Sequence, residues 1–178
     1  MNLSLKIGCD PELFLFDKVK DRIVPAVGLV EGTKDNPKML SNGGMVQLDG
    51  TVLEFGTPPV CPSEANNSLF GKVLTETLDI IRKDMADNHG DRYELRCGAI
   101  AGYHRDDIDP DHEGFNVGCS PQYCWKGETA TAMQGLEKLD MGKVPVGGHI
   151  HFGFTDKDML KEDYDMLERS MFRFTKLL

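Results

Sequence analysis

The sequence predicts a single α+β domain built on a mostly antiparallel sheet. Three observations carry this prediction: short apolar runs fill the N-terminal third, a strong hairpin signal lies at Asp49-Gly50, and two amphipathic helical patterns follow. The 178 residues are enough to bury a substantial core in one domain. Because no repeat, low-complexity tract or linker divides the chain, we expect residues 1–178 to form that one domain.

The strands are predicted from alternation and from the turn residues between them. LSLKIG and LFLF, separated by CDPE, are two short apolar-rich runs, and RIVPAV is a third. MVQLDGTVLEF places Asp-Gly between two alternating runs, which predicts a hairpin. RYELRCGAI and VGGHIHFGF are two later strands, whereas GTKDNPKMLSNGG is rich in Gly, Asn and Lys and predicts an exposed loop.

Two helices are predicted to cover one face of this sheet. The first follows TPPVCPSE, with Ser63 as its N-cap and Asn88-His89-Gly90 at its end. Its apolar positions at helical spacing are Phe70, Leu74, Leu78, Ile81 and Met85. Thr155 or Asp156 is predicted to cap the second. The apolar positions of that helix are Leu160, Tyr164, Leu167, Met171, Phe174 and Leu178.

Composition and charge exclude several classes of partner. The formal charge is −9, from 29 acidic and 20 basic residues, which disfavours nucleic acid and membrane surfaces and suits a site that collects divalent cations. MNLSLKIGCD carries no secretory signal pattern, and no apolar run approaches the length of a membrane span. The five cysteines are scattered and odd in number, so we expect a reduced chain in the cytoplasm.

The segment PVGGHIHFGF contains the first candidate site residues. His149 and His151 are separated by one residue, so on a strand both imidazoles project from one face while Ile150 and Phe152 occupy the other. We expect that other, apolar face to pack against the helices. Gly147 and Gly148 remove side chains beside the pair, so a ligand or another backbone can approach closely. Taken alone, the pair is equally compatible with two hydrogen-bonded histidines that have only a structural role.

Acidic side chains recur inside two other predicted strands. Asp10 and Glu12 of GCDPELFLF share one face of an extended segment, and Glu54 lies between Leu53 and Phe55 in DGTVLEFGTPP. A carboxylate among apolar neighbours needs a partner, because burying it alone is costly. Carboxylates together with neutral imidazoles on one sheet face favour a site for Mg²⁺ or Mn²⁺.

The three motifs GCDPE, DGTVLEFGTPP and GGHIHFG, in this order, resemble the phage-type carboxylate–amine ligases (the COOH–NH2 ligase type 2 family). That family belongs to the superfamily of glutamine synthetase and glutamate–cysteine ligase. The resemblance runs from about residue 5 to residue 175. It implies a glutamine-synthetase-like half-barrel, a curved sheet with the two helices on its convex face and divalent metals with ATP on its concave face.

The resemblance also implies a reaction and a role for each candidate residue. ATP would phosphorylate a substrate carboxylate, and an amine would displace phosphate from the acyl phosphate to form an amide. Glu12, Glu54 and His149 would ligate metal, and Asp10 would ligate or orient beside them. His151 would contact a phosphate or the acyl phosphate, so His151 and Asp10 are the expected catalytic residues. The cofactor-binding residues would be Gly147, Gly148 and His151.

Two departures from the family pattern bear on the expected partners. Family members carry an acid in the middle segment, where this chain has Ser120-Pro121-Gln122, and they continue past the helix after the histidine pair. We therefore expect a domain without the family's C-terminal half, which forms a homo-oligomer or joins a complementing chain through its C-terminal helix. The expected substrates are small-molecule or peptide carboxylates and amines.

Two alternatives to the ligase follow from the same residues. One is a catalytically inactive ligase fold that serves as a phage structural or assembly protein, in the host cytoplasm or the virion. The other is a metal-dependent hydrolase that uses the HxH motif, but such enzymes place HxH on an early barrel strand, and this chain has no alternating βα pattern.

Overall fold

The computed structural model describes residues 5–61, 68–109, 122–123, 129–130 and 143–154. Within these ranges the chain is a mixed α+β protein in which every strand pair is antiparallel. The main sheet runs in the order β3-β2-β6-β5-β4, with β7 paired to β2, and the described strands do not close into a barrel. Three two-stranded ladders accompany it, β1-β12, β8-β11 and β9-β10.

The strands are β1 (Leu5–Cys9), β2 (Glu12–Asp17), β3 (Arg22–Val24), β4 (Lys38–Met39), β5 (Met45–Asp49), β6 (Val52–Gly56), β7 (Tyr93–Arg96), β8 (Ile100–Gly102), β9 (Gln122–Tyr123), β10 (Thr129–Ala130), β11 (Lys143–Pro145) and β12 (Ile150–Phe154). The described helix of several turns is α1 (Leu69–His89).

The predicted hairpin is confirmed as β5 and β6. Asp49 pairs with Val52 across the turn, and Gly50 adopts a φ of 56°, the left-handed conformation for which glycine is favoured. The register continues along the ladder, so that Gln47 lies opposite Glu54 and Leu48 opposite Leu53. One face of the hairpin is therefore apolar, and the other carries Gln47, Asp49 and Glu54 beside Met45 and Val52.

The core lies between the apolar face of the main sheet and α1. It joins Ile81 and Met85 of α1 to strand residues whose exposed fractions are all below a tenth. These strand residues are Leu13, Leu15, Val24, Val46, Leu53 and Phe55. The helix ends as predicted, at His89, with Gly90 in a positive φ of 64°. It begins after Ser68, whose side chain makes no capping hydrogen bond, and the expected cap Ser63 lies outside the described residues.

Two expectations about how the sheet is covered depend on residues outside the described part. The described residues contain one long helix, α1, and the second predicted helix, from Thr155 or Asp156 onward, lies outside them. Ile150 and Phe152, which we expect to pack against the helices, are 61% and 44% exposed, so α1 does not cover them, and the other predicted helix lies outside the described residues. Strand β12 is instead paired with β1, and no described helix covers its apolar side.

The predicted exposed loop at residues 32–44 is more integrated than its composition indicates. It contains β4, which pairs with β5, and Leu40 within it is buried. Gly32 lies so close to the sheet that an added Cβ would be 2.6 Å from Lys38 N and from Val46 O. Tertiary pairing thus overrides a local composition that is typical of loops. In the described part of the chain, no helix is both long and apolar enough to cross a membrane.

Candidate functional site

The two histidines meet the carboxylate of Asp10. Nε2 of His151 lies 3.0 Å from Oδ2 of Asp10, and Nδ1 of His149 lies 3.3 Å from Oδ1. The backbone N–H of His149 also donates to Oδ1, at 2.8 Å, and the two imidazole centroids are 6.1 Å apart. The predicted same-face arrangement is confirmed. These residues lie about 140 positions apart in the chain, and the β1-β12 ladder brings them together.

Glu12 is fixed to the same segment by its own backbone and side chain. The backbone N–H of Gly147 donates to Oε2 of Glu12 at 2.7 Å, and the backbone N–H of Glu12 donates to the carbonyl of Gly147 at 2.9 Å. At Gly148 an added Cβ would lie 2.8 Å from Cα of Pro11. Glycine is therefore required at position 148 for a structural reason, because it lets the backbone of residues 147–149 pack against that of Asp10 and Pro11.

A polar row crosses three strands beside this cluster. Glu12 of β2 lies opposite Glu54 of β6, which lies opposite Gln47 of β5. Nε2 of Gln47 donates to Oε2 of Glu54 at 2.6 Å, and Gln47 is only 7% exposed. Asp49 shares this face because it is two residues from Gln47 on the same strand.

We call this surface the acid face. Its members are Asp10, Glu12, Gln47, Asp49, Glu54, His149 and His151. One cation stands at its hairpin end, where Nζ of Lys34 lies 2.8 Å from Oδ1 of Asp49. Opposite the acid face, across the same strands, are the core side chains Leu13 and Leu53. Because strand side chains alternate, burying the apolar side chains in the core directs the side chains between them to the acid face.

The pKa values of two acid-face carboxylates, Asp10 and Glu54, are shifted in opposite directions. Burial opposes ionisation of Asp10, but the hydrogen bonds from His151 and from the backbone of His149 outweigh it, so the pKa of Asp10 lies below its ordinary value. Burial raises the pKa of Glu54, and the neighbouring charges of Asp49 and Asp10 add to the rise, against the hydrogen bond from Gln47. A nearby positive charge would therefore stabilise the ionised form of Glu54.

The donor chemistry of the acid face suits a hard divalent cation, with carboxylate oxygens beside neutral imidazole nitrogens. In the described part of the chain, no three such side chains are already arranged around one point. Asp10 and Glu12 instead accept hydrogen bonds from backbone N–H groups and His151. A carboxylate keeps further lone pairs after one such bond, so these contacts orient the acids without exhausting them.

Of the acid face and the neighbouring Lys34, sequence reasoning identified five residues but missed three. Asp10, Glu12, Glu54, His149 and His151 were proposed together, and the structure places them on one contiguous surface. Gln47, Asp49 and Lys34 were not proposed. A signal for the first two existed, since the Asp49-Gly50 turn fixes the register that sets Gln47 opposite Glu54. Lys34 had no such signal, because its position depends on how residues 32–44 fold back on β5.

Fold and site together define an α+β protein with an antiparallel sheet, one face of which carries acids and histidines. No family model, no curated protein and no solved structure matches this chain.

Proposed function

We propose that this chain is a divalent-metal-dependent carboxylate–amine ligase that uses ATP, with the acid face as its site. The observation that carries the proposal is the convergence of three separate motifs: Asp10 and Glu12, Glu54, and the His149–His151 pair form one surface. The motif resemblance supplies the reaction class. It also favours a half-barrel, which is a finer description of the antiparallel sheet.

The proposed reaction has two balanced steps. A substrate carboxylate oxygen bonds to the terminal phosphorus of ATP while the bond to the bridging oxygen breaks, which gives an acyl phosphate and ADP. An amine then attacks the acyl carbon, phosphate leaves with its bonding electrons, and the amine nitrogen loses a proton. ATP supplies the phosphoryl group, and bound cations supply the positive charge that offsets its oxygens.

The residues of the chain have distinct parts in this scheme. With its proton on Nε2, His151 donates to Asp10 and keeps a lone pair on Nδ1, which suits it to accept the amine proton. Asp10 stabilises the resulting imidazolium and fixes the ring orientation. Glu12 and Glu54 offer oxygen ligands, and His149 offers its second ring nitrogen because Nδ1 faces Asp10.

One observation favours the second candidate, a non-catalytic assembly protein. Ile150 and Phe152 are both exposed, at 61% and 44%, on the side of β12 that is opposite His151. Exposed apolar side chains on a strand suit contact with another protein surface. An assembly protein needs such a surface but has no need of nucleotide binding, so nucleotide binding separates the two candidates.

Calorimetric titration of the chain with Mn²⁺ and then with a non-hydrolysable ATP analogue tests the ligase. We expect both to bind, and we expect Glu12→Gln and His149→Ala each to weaken Mn²⁺ binding by about tenfold or more. Glu94→Gln is the matched control, since Glu94 is an exposed acid on β7. Mn²⁺ binding without nucleotide binding would favour the assembly protein. Absence of both, with a defined oligomer in light scattering, would overturn the ligase.

A further inference from the structure

The loop that carries Lys34 is built against the acid face. The backbone N–H of Leu48 donates to the carbonyl of Gly32 at 3.1 Å, which attaches the loop to β5. Gly32 has a φ of 91°, and any side chain there would clash with the backbone at Lys38 and Val46. Position 32 therefore requires glycine, and this requirement fixes where the loop leaves the sheet.

The tip of this loop is closed on itself. Thr33 and Asn36 exchange backbone hydrogen bonds of 3.1 Å in both directions, and the Thr33 hydroxyl accepts a further bond from the Asn36 backbone. Lys34 lies within that closed tip. Its side chain is 63% exposed, and its Nζ contacts Asp49, whose side chain is 26% exposed.

The charges around Lys34 come from the acid face. Its pKa is raised first by the hydrogen bond to Asp49 and further by the charges of Asp49, Glu54 and Glu12, against partial burial. Lys34 thus shares an electrostatic environment with the residues proposed to hold a cation. An exposed ion pair of this kind adds little to folding, so stability alone gives no strong reason to build a loop around it.

We propose that Lys34 is the resident counter-ion of the acid face, that a divalent cation displaces it, and that it then binds an oxyanion of the substrate. This inference rests on the proposed function. A bound cation would take over the neutralisation of Asp49 and Glu54 and would repel the ammonium group. A flexible, mostly exposed lysine is suited to move to a neighbouring anionic oxygen, and lysine binds phosphate well as a point charge.

If a cation displaces Lys34, replacing this lysine should change the affinities for Mn²⁺ and for the ATP analogue in opposite directions. In Lys34→Met, Mn²⁺ should bind about threefold to tenfold more tightly, because one repelling charge is gone. The ATP analogue should bind to the Mn²⁺-loaded variant about tenfold more weakly, because a charge-assisted hydrogen bond is lost. A lysine with a purely structural role would leave both affinities unchanged or lower both.

Calorimetry on the full chain measures both affinities, with Lys18→Met as the matched control. Lys18 also forms an exposed ion pair with one aspartate, Asp91, but at the other end of β2. Lys34→Arg keeps the positive charge and should recover most of the analogue affinity. Acetate, followed by broadening of its ¹³C signal by bound Mn²⁺, is the second anion: a loss confined to acetate would assign Lys34 to the substrate carboxylate instead of the nucleotide.

The failures of the two proposals are distinguishable. If the unmodified chain binds no Mn²⁺, the proposed function is wrong. If it binds Mn²⁺ and the analogue, but Lys34→Met leaves Mn²⁺ affinity unchanged or weakens it, the displacement of Lys34 is wrong while the ligase stands. Unchanged affinity for both anions in Lys34→Met would overturn the anion-binding role.

Discussion

Strand β2 carries acids at both ends, and the two ends differ in the groups that contact those acids. Asp17 at the C-terminal end is 1% exposed and meets a permanent cation, with Nη2 of Arg92 at 2.7 Å and Nε at 3.1 Å. Glu12 at the N-terminal end accepts a hydrogen bond from the backbone N–H of Gly147, and Asp10 just before it contacts His149 and His151. The first end is neutralised by the fold itself, whereas the second keeps acids whose charge an exchangeable cation could offset.

This difference teaches how to separate structural acids from candidate functional acids in one element. The hydrogen bond from Arg92 lowers the pKa of Asp17 to about 2, and the backbone N–H groups of Val19 and Lys20 contribute although burial opposes them. Glu54, opposite Glu12, has a raised pKa instead. A fold that only needed stability would gain nothing from a half-buried carboxylate with a raised pKa.

The largest expected effect is at the structural end. Asp17→Asn should lower the free energy of unfolding by about 3 kcal/mol, because it leaves the Arg92 guanidinium without its carboxylate and weakens the acceptor for two backbone N–H groups. Urea denaturation followed by circular dichroism measures this. Asp91→Asn, at an aspartate that is 96% exposed, should change stability by less than about 0.5 kcal/mol. Equal effects at the two positions would show that the Asp17–Arg92 pair contributes no more to stability than an exposed ion pair does.

The next effect is the acid dependence of stability. The folded pKa of Asp17 is below its ordinary value, so its contribution is fully present above about pH 4 and is lost as the pH falls toward about 2. The unmodified chain should therefore lose about 2 kcal/mol more than Asp17→Asn over this range. Urea midpoints at stepped pH values give the difference. Parallel curves for the two proteins would show that the pKa of Asp17 is not lowered in the folded state.

The smallest effect, with the opposite sign, is expected on the acid face. Glu54→Gln should leave the free energy of unfolding unchanged or raise it by up to about 1 kcal/mol, because burial disfavours the Glu54 charge and the amide can still pair with Gln47. The same variant should lose the thermal stabilisation that Mn²⁺ confers on the unmodified chain. A strongly destabilised Glu54→Gln would indicate that Glu54 is a structural acid like Asp17.

Much of the fold was predictable because it depends on local pattern. Alternation identified the hairpin at Asp49-Gly50, and helical spacing identified α1 and its end at Gly90. The predicted cap of α1, Ser63, lies outside the described residues, in which the helix begins after Ser68. N-cap residue types occur at both positions, so propensity alone does not choose between them.

The site was predictable to the extent that strand periodicity assigns residues to faces. That rule placed His149 with His151 and Asp10 with Glu12, and the structure brings the two pairs into contact. The same rule did not reveal what would lie over the other face of β12, where Ile150 and Phe152 are exposed. Coverage depends on which distant elements meet, and periodicity carries no information about that.

The sequence by itself determined the strand alternation, the hairpin register and the residue types of the acid face, because these follow from backbone geometry over a few neighbouring residues. Only the tertiary structure decided that Arg92 neutralises Asp17 and that Lys34 lies beside Asp49. The physical reason is that a charge finds its partner through the packing of distant segments, and a local pattern does not encode the distance between them.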